Sequence, residues 1–525
     1  MSHLMPFRLT HQTLRDNRIK TERNSVTPET TNSEQLSQSR RRKVSKRTKL
    51  GFASGMLENS MMTAAALTTM LFYNQVLGVA PELCGLAFAI ASVVDAVSDP
   101  LVGLLSDRVR TRWGRRHPFM LGSSLPLGLF FYLMYQPPEG LSETGLFWWF
   151  TITMVGMRLA KTFYSVPHAA LGSELTDDYD ERTSIFGWNW AVMVIGGVFL
   201  TSFVGFVIFP SGDEYYNGFL NPNGYQFLAI FGGLTCFLAV VICSFMTADQ
   251  IPYLHSDASL QSEVRAKYAE TALSIWKDIK GLATNPSYLS VVFCWLILAI
   301  SGGVLGVAGT YAFVYGFEFT SEEIAFREWV KLPGALMCVA FAAYLVKKID
   351  KKYTVILMIL VTTFLVGLPY CLRLLGWFPD NDPETFFSSS LFVAIFGVWI
   401  LGFITLPVVP IVIDSQLVDI ADEHELNTGN RSEALIMAVR TFSVKVSDGL
   451  GGMIGGFWLA FIDFPKNASP ETLTQEHLDQ LFFMMGPLYY IIVYAGLGFC
   501  FMYRISRSRH EEILRELEKR RSLEV

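Results

Sequence analysis

The sequence predicts an all-α membrane protein of about twelve transmembrane helices arranged as two sets of six. Three observations carry this. Hydrophobic residues make up 51% of the 525 and charged residues only 17%, with 41 Phe and 41 Gly, a balance that soluble domains rarely show. Apolar stretches long enough to cross a hydrocarbon core of about 30 Å recur along the chain. Basic residues crowd alternate connections between them, as the positive-inside rule requires.

Residues 1–49 are polar, rich in Ser, Thr, Gln and Arg, and end in the run RRRKVSKRTK from Arg40 to Lys49. They read as a disordered basic cytoplasmic tail, and their polarity predicts no cleavable leader. A first half, 50–247, carries apolar spans at 51–78, 81–106, 118–136, 146–174, 184–209 and 225–247. Its turn at Arg108 to Arg116 is basic, whereas the connections 137–145 and 210–224 hold acids and no Lys or Arg. The polar segment 248–285 is predicted to be a cytoplasmic linker with an amphipathic helix around Val264 to Ile279. A second half, 286–503, repeats the pattern with spans at 286–315, 324–346, 354–374, 388–417, 434–464 and 480–503. Its second span is also followed by a basic turn, KKIDKK at 347–352, and 379–387 is again acidic without Lys or Arg. The tail 504–525 alternates charges at helical spacing and reads as a solvated surface helix on the cytoplasmic side.

This charge distribution predicts a multi-pass protein of the cell membrane with both termini cytoplasmic. The net charge of −5 carries little meaning, because opposite signs lie on opposite sides of the membrane. The seven cysteines show no metal-ligand or disulfide spacing and read as small buried residues. There is no nucleophile triad, metal-ligand cluster or phosphate-binding glycine loop, so neither an enzyme nor a self-contained ATP-driven pump is expected. No cofactor, resident metal, nucleic acid or obligatory protein partner is expected either; the bilayer and a small molecule are.

The most informative segment is SVVDAVSDPLVGLLSDRVRTRWGRRHP, residues 92 to 118. Asp95 and Asp99 are four apart and share a helix face. Counted back from Asp107, Asp99 lies about 12 Å and Asp95 about 18 Å inside the span. Each costs about 2.5–3.5 kcal/mol at mid-membrane on insertion scales, so something polar must meet them. Carboxylate oxygens suit a hard cation or a proton. Pro100 also frees the carbonyl of Ala96 within the same helix.

Four segments carry a family resemblance. GLLSDRVRTRWGRR at Gly103 to Arg116 resembles the loop motif of the major facilitator superfamily. DAVSDP at Asp95 to Pro100 with RTRWGRRHPF, VPHAALGSELTDDYDERT at Val166 to Thr183, and DIADEHELNTGNRSEA at Asp419 to Ala434 resemble the glycoside–pentoside–hexuronide:cation symporter family. The matches run in order across residues 50 to 503. The resemblance implies the major facilitator fold, with cation-coupled symport of a glycoside or related sugar by alternating access between parallel repeats. It also implies that Asp95 and Asp99 bind the coupling ion, Na⁺ or H⁺.

The family pattern supplies further expectations. Asp107, Arg108, Gly114, Arg115 and Arg116 would form a cytoplasmic gate with the acidic loop Asp177, Asp178, Asp180 and Glu181, although the arginines also satisfy the positive-inside rule on their own. Lys445 matches a family lysine, and it either neutralises Asp448 or links the halves. The aspartate expected before the Val-Pro step of the fourth helix is Ser165 here. The acid of the first helix aligns with Leu57, next to Glu58, and a fifth-helix arginine aligns with Asn189. Arg158 and Lys161 stand on the fourth helix instead. Lys161 lies about 21 Å deep and is expected to pair with Asp95 or Asp99, favouring proton or weak coupling over strict Na⁺ dependence. Tyr73, Tyr164, Ser165 and Glu58 are the candidate sugar contacts, with Trp188 and Trp190 farther toward the cytoplasm. His168 either titrates or is structural. The glycines at 449, 451, 452, 455 and 456 allow close helix approach. Two readings compete with sugar symport: a non-sugar or amphiphilic cargo, and a non-transporting membrane sensor on the same scaffold.

Overall fold

The computed structural model describes residues 43–109, 111–176, 178–254, 280–378, 380–383, 386, 389–429, 433–468 and 472–523. The expected disorder of the tail before 43 and the amphipathic stretch at 264–279 lie outside these. Helices form throughout the spans, because a backbone in hydrocarbon must satisfy its own N–H and C=O groups. The N-terminal half comprises α1 (Lys46–Ser54), α2 (Leu57–Leu71), α3 (Pro81–Arg108), α4 (His117–Met134), α5 (Glu143–Glu174), α6 (Tyr179–Phe203) and α7 (Gly224–Met246). The C-terminal half comprises α8 (Pro286–Tyr311), α9 (Ser321–Lys348), α10 (Lys351–Leu374), α11 (Ser390–Thr405), α12 (Val408–Thr428), α13 (Glu433–Phe461), α14 (Gln475–Phe483) and α15 (Tyr489–Cys500). A last helix, α16 (Arg507–Leu523), follows. With α1–α2 and α11–α12 each forming one interrupted span, and α14–α15 one continuous span widened at Met484–Leu488, the described elements make twelve crossings.

Seven described helices are long and apolar enough to cross a membrane, and the bent pair within α9 makes an eighth. That pair, Ser321–Gly334 and Leu336–Lys348, is bent by 42° beside Pro333, which cannot donate the backbone bond that keeps a helix straight. The breaks at Pro407 and in α1–α2 were not expected from hydropathy, which is blind to local backbone geometry. Helix ends also extend past the apolar runs. α12 reaches Thr428, eleven residues beyond the predicted 417, and stops at Gly429 with φ +76°.

The duplication is visible in the backbone. α2 ends in a widened turn, Phe72–Val76, and α8 ends in another, Ala312–Gly316. In the first, Leu77 N–H donates to Phe72 O and Val79 N–H to Tyr73 O; in the second, Phe317 N–H donates to Ala312 O and Phe319 N–H to Phe313 O. Five- and six-residue returns thus recur at the end of the first span of each half.

On the face opposite the basic turns, here the far face, the halves are stitched together. Tyr311 Oη lies 2.8 Å from Asn74 Oδ1 and Tyr315 Oη 2.9 Å from Gln75 Oε1. Ser211 Oγ donates to Glu322 Oε2 at 2.6 Å, and Lys466 Nζ meets Glu143 Oε1 at 2.6 Å. On the near face, each ion pair among the described residues stays within one half. The chain is therefore closed on the far face.

α13 lies between α3 and α8, and its glycines form two stripes. A Cβ at Gly449, Gly452 or Gly456 would strike Ser92, Phe88 or the Pro81 carbonyl of α3, and one at Gly451 would strike the backbone of Gly303 on α8. Close approach, expected for these glycines, is thus realised on two sides of one helix. α16 departs from the expected solvated helix. Ile513 and Leu517, one turn apart, are buried, His510 Nε2 lies 3.1 Å from Asp422 Oδ2, and Arg520 donates to Leu426 O. An apolar pair at this spacing docks one face of an otherwise charged helix.

Candidate functional site

α3 and α5 cross inside the N-terminal half, and α13 of the other half closes over them. Thr162 Oγ1 on α5 bridges the two carboxylates, 2.9 Å from Asp95 Oδ1 and 3.1 Å from Asp99 Oδ1. From α13, the Lys445 ammonium pairs with Asp99 Oδ2 and lies 3.4 Å from Asp95 Oδ2. Arg158 Nη1 is 3.8 Å from Asp95 Oδ2 and donates to Ser92 Oγ at 2.9 Å. The Asp95 and Asp99 side chains are only 14% and 21% exposed, so their charges are weakly screened. Two carboxylates thus face two cations.

Lys161 is the main correction. Its ammonium donates to Asn59 Oδ1 on α2 at 2.8 Å rather than to either aspartate. Neighbouring helix positions point about 100° apart, so when Thr162 faces α3, Lys161 faces α2. The residue one turn before Thr162 is Arg158, and this spacing would have selected both from the sequence. For Lys445, the structure shows the bond across the halves; the side chain of Asp448 lies outside the described set.

The aromatic and acidic sugar candidates sit in the core. Tyr73 is fully buried, stacks on Phe150 at 4.0 Å between ring centroids and donates to Met134 O. Tyr164 is equally buried, with its hydroxyl against Gly55 and without a hydrogen-bond partner. Neither offers an open ring face to a sugar in this conformation. Glu58 is also buried, and its Oε2 lacks a partner. Ser165 is partly open, and the exposed Trp188 and Trp190 lie on α6. His168 stacks on Phe52 at 4.1 Å with Nε2 on the Phe52 carbonyl, a structural setting.

The near-face arginines find a different acid from the one expected. Arg116 contacts Glu174 Oε1 at 2.9 Å, Asp107 Oδ1 at 2.6 Å and Ser106 Oγ at 2.7 Å, and Arg115 reaches Glu174 at 2.8 Å. Gly114, with φ +76°, makes the turn that allows this, while Arg108 is exposed. Of the predicted acidic loop, Glu181 pairs with Lys49 at 2.9 Å, and Asp177 lies outside the described residues. The C-terminal half repeats the device: Lys351 in its basic turn meets Asp419 on α12 at 2.7 Å. Each basic turn therefore grips the span-ending helix of its own half. Glu174 was missed because it precedes the acidic cluster that drew attention.

A duplicated twelve-span bundle with a charged site where its halves meet defines a secondary transporter of the major facilitator class. A solved bacterial homologue of the human lysosomal transporter Spinster, in an inward-facing and unoccupied conformation, shares this fold with a TM-score of 0.63 at 12% identity, covering 90% of this chain and 97% of that one. The chain belongs to the family described as MFS/sugar transport protein, whose model matches residues 51–508. Among curated relatives, a putative glycoside/cation symporter of Escherichia coli K12, YagG, is 25% identical over 86% of this chain and 90% of its own length. A glucuronide carrier protein homolog of the same organism is 23% identical, covering 91% of this chain and 96% of the relative. These relatives fit the glycoside–pentoside–hexuronide:cation symporter family that the sequence motifs resemble.

Proposed function

We propose that the chain imports a sugar across the cell membrane by symport, with Asp95, Asp99 and Thr162 as the coupling site and both termini in the cytoplasm. The observation that carries this is the carboxylate pair at mid-depth, bridged by Thr162 and faced by Lys445 of the other half. The names of the relatives as glycoside and glucuronide carriers support a sugar as cargo. With the basic turns cytoplasmic, the closed far face corresponds to an inward-open state.

The charges favour a proton as the coupling ion. Lys445 and Arg158 already balance the two carboxylates. A proton adds the same unit charge as Na⁺, but it sits on Asp99 itself and needs no shell of oxygen ligands in the space that Lys445 fills, and it releases Lys445 and so loosens α3 from α13. The oxygen donors would also suit Na⁺ if Lys445 withdrew. The test is uptake of labelled glycosides into proteoliposomes under a pH gradient or a Na⁺ gradient. Accumulation should follow the pH gradient, and Asp95→Asn should abolish it while sparing equilibrative exchange. Accumulation under neither gradient would refute symport; full dependence on Na⁺ would refute the proton assignment.

A further inference from the structure

Three charged side chains on α9 take no part in the aspartate site. Glu328 is buried, and its Oε1 receives Lys331 Nζ at 2.5 Å and Arg327 Nη2 at 3.4 Å. Two cations thus share one carboxylate among the described residues. One positive charge is left over. The Arg327 guanidinium lies 4.7 Å over the Phe313 ring with its Nε lacking an acceptor, and Lys331 lies 5.5 Å from the Phe403 ring centre.

The position suits a binding group. Of the Lys331 side-chain surface, 36% is open. An ionisable side chain within a span faces the bundle interior or a water-filled cavity rather than lipid. Lys331 lies about 15 Å from the start of α9, near the midplane, where parallel-repeat transporters hold their cargo. Trp329 Nε1 donates to Ser202 Oγ on α6 at 2.8 Å, so this stretch of α9 lies at the seam between the halves. An uncompensated cation at this depth is costly and marks a functional site.

We propose that Lys331, oriented by Glu328 and assisted by Arg327, anchors an anionic group of the cargo, so the transported sugar carries a carboxylate or sulfonate. This rests on the sugar-transport reading and narrows it from glycosides in general to acidic sugars. The ammonium serves as a point charge, with the Phe403 ring beside it.

The test compares matched pairs on the full-length protein: 4-nitrophenyl β-D-glucuronide against the β-D-glucoside, and a 6-sulfonated glucoside against its parent. Binding is measured calorimetrically in detergent and transport by counterflow in proteoliposomes. At least one acidic member should bind about tenfold or more tighter than its neutral counterpart. Lys331→Gln should erase that preference by weakening the acidic member far more than the neutral one, and Lys331→Arg should retain it. A wild-type protein that prefers no anion, or a Lys331→Gln variant that weakens both members alike, would overturn the proposal. The wild-type comparison needs no variant, so it stands even if Lys331→Gln misfolds. Selective binding of the acid without gradient-driven uptake upholds the anchor and refutes symport; accumulation of the neutral sugar without preference for the acid does the reverse.

Discussion

Lys445 on α13 pairs with Asp99 on α3, so this ion pair joins the two halves of the chain. Removing one partner leaves the other buried and unpaired, which costs more than removing both. Lys445→Gln and Asp99→Asn should each destabilise the solubilised protein, and the double variant should recover part of the loss, with a coupling of about 1–3 kcal/mol. Additive single effects in thermal unfolding would contradict the pairing.

Thr162 donates toward both carboxylates through one hydroxyl. Thr162→Val keeps the shape and removes the donor, and hydrogen bonds to charged groups contribute about 1.5–3 kcal/mol. Gradient-driven uptake should fall by about tenfold or more, and Thr162→Ser should restore it. Unchanged uptake in Thr162→Val would remove this residue from the coupling site.

The far-face bond between Lys466 and Glu143 should respond to pH. The Lys466 hydrogen bond first, and then the Ala80 N–H, hold the Glu143 carboxyl below its ordinary pKa. A depressed carboxylate contributes fully above its unperturbed pKa and loses that contribution as pH falls through the lowered value. Acidification into that range, or Glu143→Gln, should therefore loosen the far face. Spin labels at Glu139 and Glu476, one on each half, report the separation. A distance distribution unaffected by both changes would count against the latch.

Arg116 and Arg115 should separate stability from gating. Arg116 is 7% exposed at its side chain and bonds Glu174, Asp107 and Ser106, whereas Arg115 is 26% exposed and, among the described residues, bonds Glu174. Arg116→Ala should cost about 3–5 kcal/mol and Arg115→Ala about 1 kcal/mol or less, measured by thermal unfolding. Equal losses would show that burial does not rank them.

Hydropathy and loop charge made the bundle legible, because both follow from the cost of polar groups in hydrocarbon. Asp95 and Asp99 were legible for the same reason. Their partners were harder to read. Arg158 and Thr162 needed the helical angle of α5, and the error on Lys161 is a one-residue error of face. Lys331, Glu328 and Arg327 were overlooked because they sit inside a span recognised by its apolar average. Tyr73 and Tyr164 were misplaced because an aromatic ring looks the same in a sequence whether it lines a cavity or fills a core.

The two glycine stripes of α13 have a mechanical consequence. Where a glycine of α13 lies against a neighbouring helix, α13 has no side chain of its own that must change rotamer as the helices part. The α8 stripe sets α13 against a helix of its own half, with Gly451 against the backbone of Gly303. The α3 stripe crosses between the halves, where Gly449, Gly452 and Gly456 lie against Ser92, Phe88 and the Pro81 carbonyl, so the closest approach of the two halves is set by residues with no side chain to hold them apart.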